Sequence, residues 1–381
     1  MNFDLNEEQE MVRNSIREFA QNEIAPVARE YDEQEKFPRE QLEGLAELGL
    51  MGMIIPEEYG GAGFDSVSYA LALEEIARAD ASVAVIVSVT NSVCCYPILS
   101  FGTEEQKQKY LVPLAKGEKL GAFCLSEPQA GSDATGLKTR AVEDGDFYVL
   151  NGTKSWVTSG AEAEVFIVMA ITGEKDGKKE ITSFIVEGGA NGFTVASHEH
   201  KMGQRASQTN EMSLVDVLVP KENVLGGVGR GMRVAFSSLD NGRIGVASLS
   251  NGIAQAALEE SLKYAKDRTA FGKPIAEFQA IQFKLADMAT ETEVARLLTL
   301  RAAAMKDINH KQTGVFASMA KLYASENANR VCADAIQIHG GNGYSRHYNV
   351  EKYYRDARIT TIYEGTSEIQ RIVISRGILK D

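Results

Sequence analysis

The hydrophobic period of this chain changes twice, and that double change constrains its fold more than any single motif. Up to about residue 120 the apolar residues recur at helical spacing. "LNEEQEMVRNSIREFAQNEIAPV" opens with Asn6 and Gln9 at capping-box spacing and carries Val12, Ile16, Phe19 and Ile24 on one face. "GTEEQKQKYLVPL" starts the same way, with Thr103 as the cap and Gln106 three positions on. Between them "MIIPEEYGGAGFD" is a Gly-rich loop. From about Gly121 the pattern becomes short runs rich in Val, Ile, Phe and Thr, such as "FYVLNGTKSWVTSG", "EVFIVMAIT", "ITSFIVEGG" and "EMSLVDVLVP". Asp-Gly and Asn-Gly pairs at 144, 151, 176 and 191 read as the turns between them. Such runs predict a compact antiparallel barrel or sandwich rather than βαβ units. After "GGVGRG" at 226–231, long Ala-rich amphipathic helices return. The expected fold is mainly α with a central β domain, divided at 1–120, 121–230 and 231–381.

At 381 residues, 44% hydrophobic and 24% charged, the chain can bury two or three substantial cores. Its formal net charge of -13 argues against nucleic-acid binding through the phosphates. A phosphorylated small ligand stays open, because a few local cations and backbone N–H groups suffice. "MNFDLNEEQE" has no basic region followed by an apolar stretch, so no secretory signal is expected. Apolar runs such as "ASVAVIVSVT" and "VFIVMAIT" fall short of the ~20 residues that span a bilayer, so membrane insertion is not expected. Cys94, Cys95, Cys124 and Cys332 show no C-x-x-C pairing and read as buried apolar fillers. A reducing cytoplasm fits that usage.

Several motifs fail on inspection. In "GGVGRGM" Gly227 and Gly229 are followed by Met232, and in "HGGNGYSR" Gly341 and Gly343 lead to Arg346, so neither completes G-x-G-x-x-G. The five histidines (His198, His200, His310, His339, His347) form no H-E-x-x-H or triad grouping. His198-x-His200 reads as a solvated strand pair more readily than as a metal fragment, and no metal is expected.

Three stretches carry more. "FCLSEPQAGSDATGLKT" (123–139) ends a strand-like entry in a turn-rich loop that could aim N–H groups and hydroxyls at a phosphate or a polar ring edge. Taken alone, it reads as only a surface loop. Trp156 and Thr158, two apart in a strand, project to the same face and could flank a flat heterocycle; core packing is the ordinary alternative. In "TTIYEGTSEIQ" (360–370) a β-branched and aromatic run leads to Glu364, then Gly365 and a helix start. Glu364 is either a solvated loop acid or a base at the edge of an apolar cleft.

Taken together, "YEGTSEIQR", "LSEPQAGSDA", "WVTSG", "LDNGRIGVA", "DRTAFGKPIAEFQ" and "QIHGGNGYS" resemble the acyl-CoA dehydrogenase family, nearest to its short-chain, butyryl-CoA bacterial members. The motifs occur in the family's order over essentially the whole chain. The resemblance implies an N-terminal helical domain, a middle β-barrel and a C-terminal four-helix bundle. It implies FAD, with Phe123, Leu125, Ser126, Gly131, Ser132, Trp156 and Thr158 about the isoalloxazine. Arg268, Phe271 and Gln279 match positions that hold the pyrophosphate and adenine; Thr366 and Glu368 also fall among the FAD positions. Gln337, Ile338, Gly340 and Gly341 resemble a segment offered by a neighbouring subunit, in a family usually built as a dimer of dimers. Ser132, Asp240 and Arg243 match contacts to the CoA portion, and Tyr363 and Gly365 flank the acyl site.

By the same resemblance Glu364 abstracts the α-proton of a saturated acyl-CoA, hydride passes to flavin N5, and an electron-transferring flavoprotein takes the electrons. Ser367 and Gln370 have capping-box spacing, which would set Glu364 just before a helix N-terminus whose dipole favours a carboxylate. Isovaleryl-type members carry their base where this chain has Gly242, and glutaryl-type members carry an Arg near Ala84, so a plain short- to medium-length acyl chain is expected. The alternatives are an acyl-CoA oxidase using O₂, a dehydrogenase for a branched short-chain acyl-CoA, or a non-catalytic flavin or CoA scaffold.

Overall fold

The computed structural model describes residues 4–380. The N-terminal helices are α1 (Glu7–Phe19), α2 (Ala28–Gln34), α3 (Arg39–Glu47), α4 (Ser66–Ala79), α5 (Ala81–Val89), α6 (Tyr96–Phe101), α7 (Glu104–Gln106) and α8 (Val112–Ala115). Both expected capping boxes form: Asn6 with Gln9, and Thr103 with Gln106. The buried Gln106 amide also donates to the carbonyls of Glu222 and Val224, which anchors the helical region to the strands. Val12, Ile16 and Ile24 are buried as the period required, with Phe19 packed against the same core.

A helical run from Ala81 to Phe101 is continuous, because a π-helical segment (Thr90–Cys95) joins α5 to α6. Its 21 residues and mean hydropathy of 1.7 are enough to cross a bilayer, longer than the apolar run read from the sequence. The polar break at Thr90–Ser92 hid it: Thr90 and Ser92 bond back to the carbonyls of Ile86 and Ser88, so they interrupt nothing. It is a core helix of this fold, with 83% of its most apolar stretch buried.

The middle strands are β1 (Gly121–Cys124), β2 (Arg140–Asp144), β3 (Phe147–Thr158), β4 (Val165–Lys175), β5 (Lys178–Glu187), β6 (Phe193–His198), β7 (Thr209–Pro220) and β8 (Val224–Leu225). They form one eight-stranded sheet in the order β6-β7-β3-β2-β4-β5-β8, with β1 beside β4. The sheet packs around its own core of Leu150, Phe166, Phe184 and Leu214, and its end strands β6 and β8 do not pair with each other. It is not wholly antiparallel: β1 runs parallel to β4, Gly121 opposite Val165, and β2 meets β4 in parallel at Arg140 and Ile171. Asp144-Gly145 and Asp176-Gly177 are hairpin turns, and Asn191-Gly192 turns into β6. Asn151-Gly152 is not a turn. It lies inside β3 at a bulge against β7, and a side chain at Gly152 would run into Thr139.

The C-terminal region holds α9 (Gly231–Asp267), α10 (Gln279–Asp307), α11 (Thr313–His339), α12 (Val350–Arg358) and α13 (Ser367–Ile378). Helix α9 is 37 residues long and runs from the sheet past α4 and α5 into the bundle. Ser238, Ser248, Ser250 and Ser261 on it donate to carbonyls one turn back, so the helix can be buried with its hydroxyls satisfied from within. Gly245 and Gly252 let it approach α4 closely: a Cβ on Gly245 would stand 2.8 Å from the Tyr69 hydroxyl.

Ionic contacts join the three regions. Lys352 of α12 reaches Asp80 (3.1 Å) and Asp356 (2.7 Å), and all three are buried. Arg355 pairs with Asp32 of α2 at 2.7 Å and donates to the Met202 carbonyl of the β6–β7 loop. The Gln204 backbone N–H of that loop donates to Asp356. Burial raises the cost of every charge here, and their mutual pairing offsets it.

Candidate active site

Glu364 stands in a short connection between a 3-10 turn (Ile359–Thr361) and α13. Its backbone is left-handed (φ 54°), followed by Gly365 at φ 90°. A non-glycine residue there is strained, so the surroundings must hold it. They do so through the next two carbonyls. The Gln370 amide donates to the Glu364 carbonyl (3.1 Å) and the Gly365 carbonyl (2.9 Å), and Lys321 Nζ donates to the Gly365 carbonyl at 2.8 Å.

The cap differs from the expected pairing of Ser367 with Gln370. Thr366 is the N-cap, its hydroxyl accepting from the Ile369 N–H at 3.4 Å. Gln370 faces backwards onto the base loop instead. The carboxylate still precedes a helix start, and Glu368 is exposed in the first turn.

The residue as a whole is partly accessible, but its carboxyl group is enclosed by protein. Oε2 faces α9 at Gly242, where a Cβ would lie 2.6 Å away. Burial raises the Glu364 carboxyl above the usual carboxylate range, against the pull of Arg243 and Lys321. A carboxylate in that state is a better base than one in water. Arg243 is buried on α9 and bonds Asp240 at 3.0 Å, while its Nε has no partner. Asp240, Arg243 and Glu364 are therefore brought together, as are Tyr363 and Gly365. Tyr363 accepts a bond from Gln204 at 3.3 Å and is shifted upward by burial.

Trp156 and Thr158 lie at the end of β3. Val157 between them is fully buried, whereas Trp156 is 61% exposed and has a left-handed backbone (φ 60°) at a bulge against β7. Phe123 is half-buried on β1, and the loop after it carries Leu125 and Ser126 half-buried and Gly131 and Ser132 exposed. What pins this loop was not read from the sequence. Glu127 is buried and takes Lys154 at 2.8 Å, the Lys138 N–H at 2.6 Å and the Thr139 N–H at 3.0 Å. Burial opposes its charge, yet Lys154 and these donors hold the Glu127 carboxyl down at about 2. No local signal marked Lys154: Trp156, two positions on in the same strand, is exposed, and the bulge between Lys154 and Val157 breaks the alternation.

Arg268, Ile338, Gly340 and Gly341 line one cavity of about 340 Å³, together with Tyr264, Ile275, His339 and Asn342. The buried Nε2 of His339 has no partner. Phe271 stands outside the cavity, 97% exposed on the Thr269–Pro274 hairpin. Gln279 is exposed at the start of α10, and Gln337 is exposed on α11. The structure thus joins Arg268 to the 338–341 segment within one chain, and leaves Phe271 and Gln279 on the surface beside it.

His198 and His200 meet Glu35 at 3.6 and 3.0 Å, so the pair is not simply solvated. Arg205 already pairs with the same carboxylate at 2.7 Å, which holds it at about 2 despite burial. A cation at that position opposes a second one, and the cluster ties α2 to the end of β6.

Family models for the N-terminal, middle and C-terminal domains of acyl-CoA dehydrogenase match residues 6–118, 122–217 and 229–379. The chain belongs to the acyl-CoA dehydrogenase family. It is 52% identical to a probable acyl-CoA dehydrogenase of Bacillus subtilis, with 100% of both chains covered. It is 46% identical to the short-chain-specific acyl-CoA dehydrogenase of Clostridium acetobutylicum, again over 100% of each. The solved butyryl-CoA dehydrogenase of Megasphaera elsdenii superimposes with a TM-score of 0.97 at 46% identity, covering 100% of both chains. A chain solved in work on the electron transferring flavoprotein of Acidaminococcus fermentans gives the same values.

As a member of this family the protein is an oxidoreductase that dehydrogenates acyl-CoA, and its cofactor is FAD. The residues present fit that cofactor. An arginine, two glycines and an unpartnered buried imidazole nitrogen around one cavity suit a diphosphate, and an exposed, strained Trp156 suits the face of a flat ring.

Proposed function

We propose that this acyl-CoA dehydrogenase acts on straight, saturated short- to medium-chain acyl-CoAs, with Glu364 as the base that removes the α-proton. The observation that carries the reading is the Glu364 carboxylate: enclosed, raised by burial, and aimed at a bare stretch of helix at Gly242. That bare stretch lets the carboxylate lie against α9, where a side chain would displace it. The Glu364 backbone N–H would donate to the thioester carbonyl, where negative charge develops as the proton leaves. Entry of the acyl chain expels water and strengthens the base further.

Arg268 with Gly340 and Gly341 would hold the FAD diphosphate, and Trp156 and Thr158 with the 123–132 loop would hold its ring. Bound there, FAD supplies the acceptor for the β hydrogen. Asp240, Arg243 and Ser132 would position the CoA portion.

The packing of α9 supports a short acyl chain. One turn beyond Gly242, Gly245 packs against Tyr69 and Ser88, whose hydroxyls lie 3.3 Å apart. A helical turn is ~5 Å, about four carbon–carbon steps, so the space past the base closes early on that side. Reoxidation by an electron-transferring flavoprotein, assembly as a dimer of dimers and a cytoplasmic location complete the proposal.

Glu364→Gln tests it. The variant should keep its flavin and bind acyl-CoA, yet lose at least a thousandfold in turnover. Near-normal dehydrogenation by the purified variant would refute the assignment.

A further inference from the structure

Lys321, in the middle of α11, is fully buried, and among the described residues its ammonium pairs with no carboxylate at salt-bridge distance. Buried lysines are rare unless paired, because the charge loses its hydration. Its one hydrogen bond crosses 44 positions of sequence to the Gly365 carbonyl, the peptide immediately after the base. We infer that Lys321 is a positioning residue for the reaction, fixing the Glu364–Gly365 segment and keeping a positive charge beside the carboxylate. The inference rests on Glu364 being the base.

The geometry has two parts. Gln370 from α13 and Lys321 from α11 bond the same Gly365 oxygen, at 2.9 and 2.8 Å, so the peptide is clamped by donors from two helices. The clamp opposes relaxation of two successive left-handed residues, which would swing the carboxylate and the Glu364 N–H out of register. The charge is the second part. Around Glu364 stand Arg243 from α9, Lys321 from α11, the Tyr69 phenol from α4, the Tyr363 phenol on its own loop and the Cys94 thiol. Only Arg243 and Lys321 carry charge that favours the carboxylate, and Arg243 is shared with Asp240. Burial pushes the Lys321 ammonium down to about 8 and Arg243 opposes it, while Glu364, Glu326 and Glu368 favour it. Lys321 thus adds to Arg243 in favouring the ionised acid while burial pushes the other way.

The test compares Lys321→Met and Lys321→Gln, as flavin-loaded enzymes, with the wild type and with Glu364→Gln. Binding of butyryl-CoA should change less than threefold, while kcat falls at least tenfold. The acid limb of kcat/KM should move to higher pH by about one unit, because removing a cation near a carboxylate raises its pKa. The Gln variant decides if the Met variant does not fold. A structural lysine would alter stability but leave the limb in place. An unmoved limb with wild-type kcat in either flavin-loaded variant overturns the inference. If that occurs while Glu364→Gln is inactive, the base assignment survives and only the Lys321 role fails; if Glu364→Gln is active, the base assignment itself fails.

Discussion

The Glu364 carboxylate and Gly242 face each other across the cleft so closely that a methyl group on Gly242 would stand 2.6 Å from Oε2. The helix wall opposite the base must therefore be bare.

Gly242→Ala separates stability from activity. In the middle of a buried helix, alanine is favoured over glycine by roughly 1 kcal/mol. The atom it meets is the mobile end of a side chain, so the fold can give way locally. The expected outcome is a thermal midpoint unchanged or slightly raised, with kcat down at least tenfold as the carboxylate is displaced. Calorimetry and steady-state kinetics on one preparation decide it; unchanged kcat would contradict the proposed placement of the base.

Lys154→Met should be costly for a different reason. It removes the cation from a buried pair and leaves Glu127 enclosed without it. Breaking such a pair typically costs about 3–5 kcal/mol, and urea denaturation should show a loss of that order. Flavin retention should fall too, since Glu127 pins the 123–139 loop.

The same carboxyl sets an acid limit. Glu127 is held at about 2, below its unfolded value of roughly 4.3. Its contribution is complete above the unfolded pKa and disappears as pH falls from there towards 2. A Glu127→Gln/Lys154→Met double variant should therefore have a flatter dependence of unfolding free energy on pH between about 4.5 and 2 than the wild type. Parallel curves would assign acid sensitivity to other groups.

Gly245→Ala should be destabilising, unlike the change one turn away. Its methyl group would meet Ser88 and the Tyr69 hydroxyl, both buried and unable to swing aside. Overpacking of this kind costs about 1–3 kcal/mol. Among the acyl-CoAs still turned over, the longer should lose more in kcat/KM than butyryl-CoA. Equal losses would place the acyl chain elsewhere.

How much of this was legible depended on whether a residue acts locally. The Asn6 and Thr103 caps involve neighbours three residues apart, and both form as the sequence implied. The Asn151-Gly152 pair carried an equally clear local signal, yet tertiary pairing of β3 with β7 overrode it and made a bulge. Gln370 had the spacing of a cap, but the hydroxyl of Thr366 was nearer, and the freed amide went to the base loop. Glu364 was visible through its motif. Its supports, Lys321 and the bare face at Gly242, are brought up by helices 43 and 122 positions away and no local pattern marks them.

The ties between Asp32 and Arg355 and between Asp80 and Lys352 bear on synthesis as well as on structure. Partners so far apart in sequence cannot meet while the chain is still being made, and the base loop follows Arg355 by only a few residues. The N-terminal helices must wait, with their acids unpaired, for almost the whole protein to emerge. Turnover should therefore be the last property a newborn chain acquires, appearing only after helix content and the central sheet are already in place.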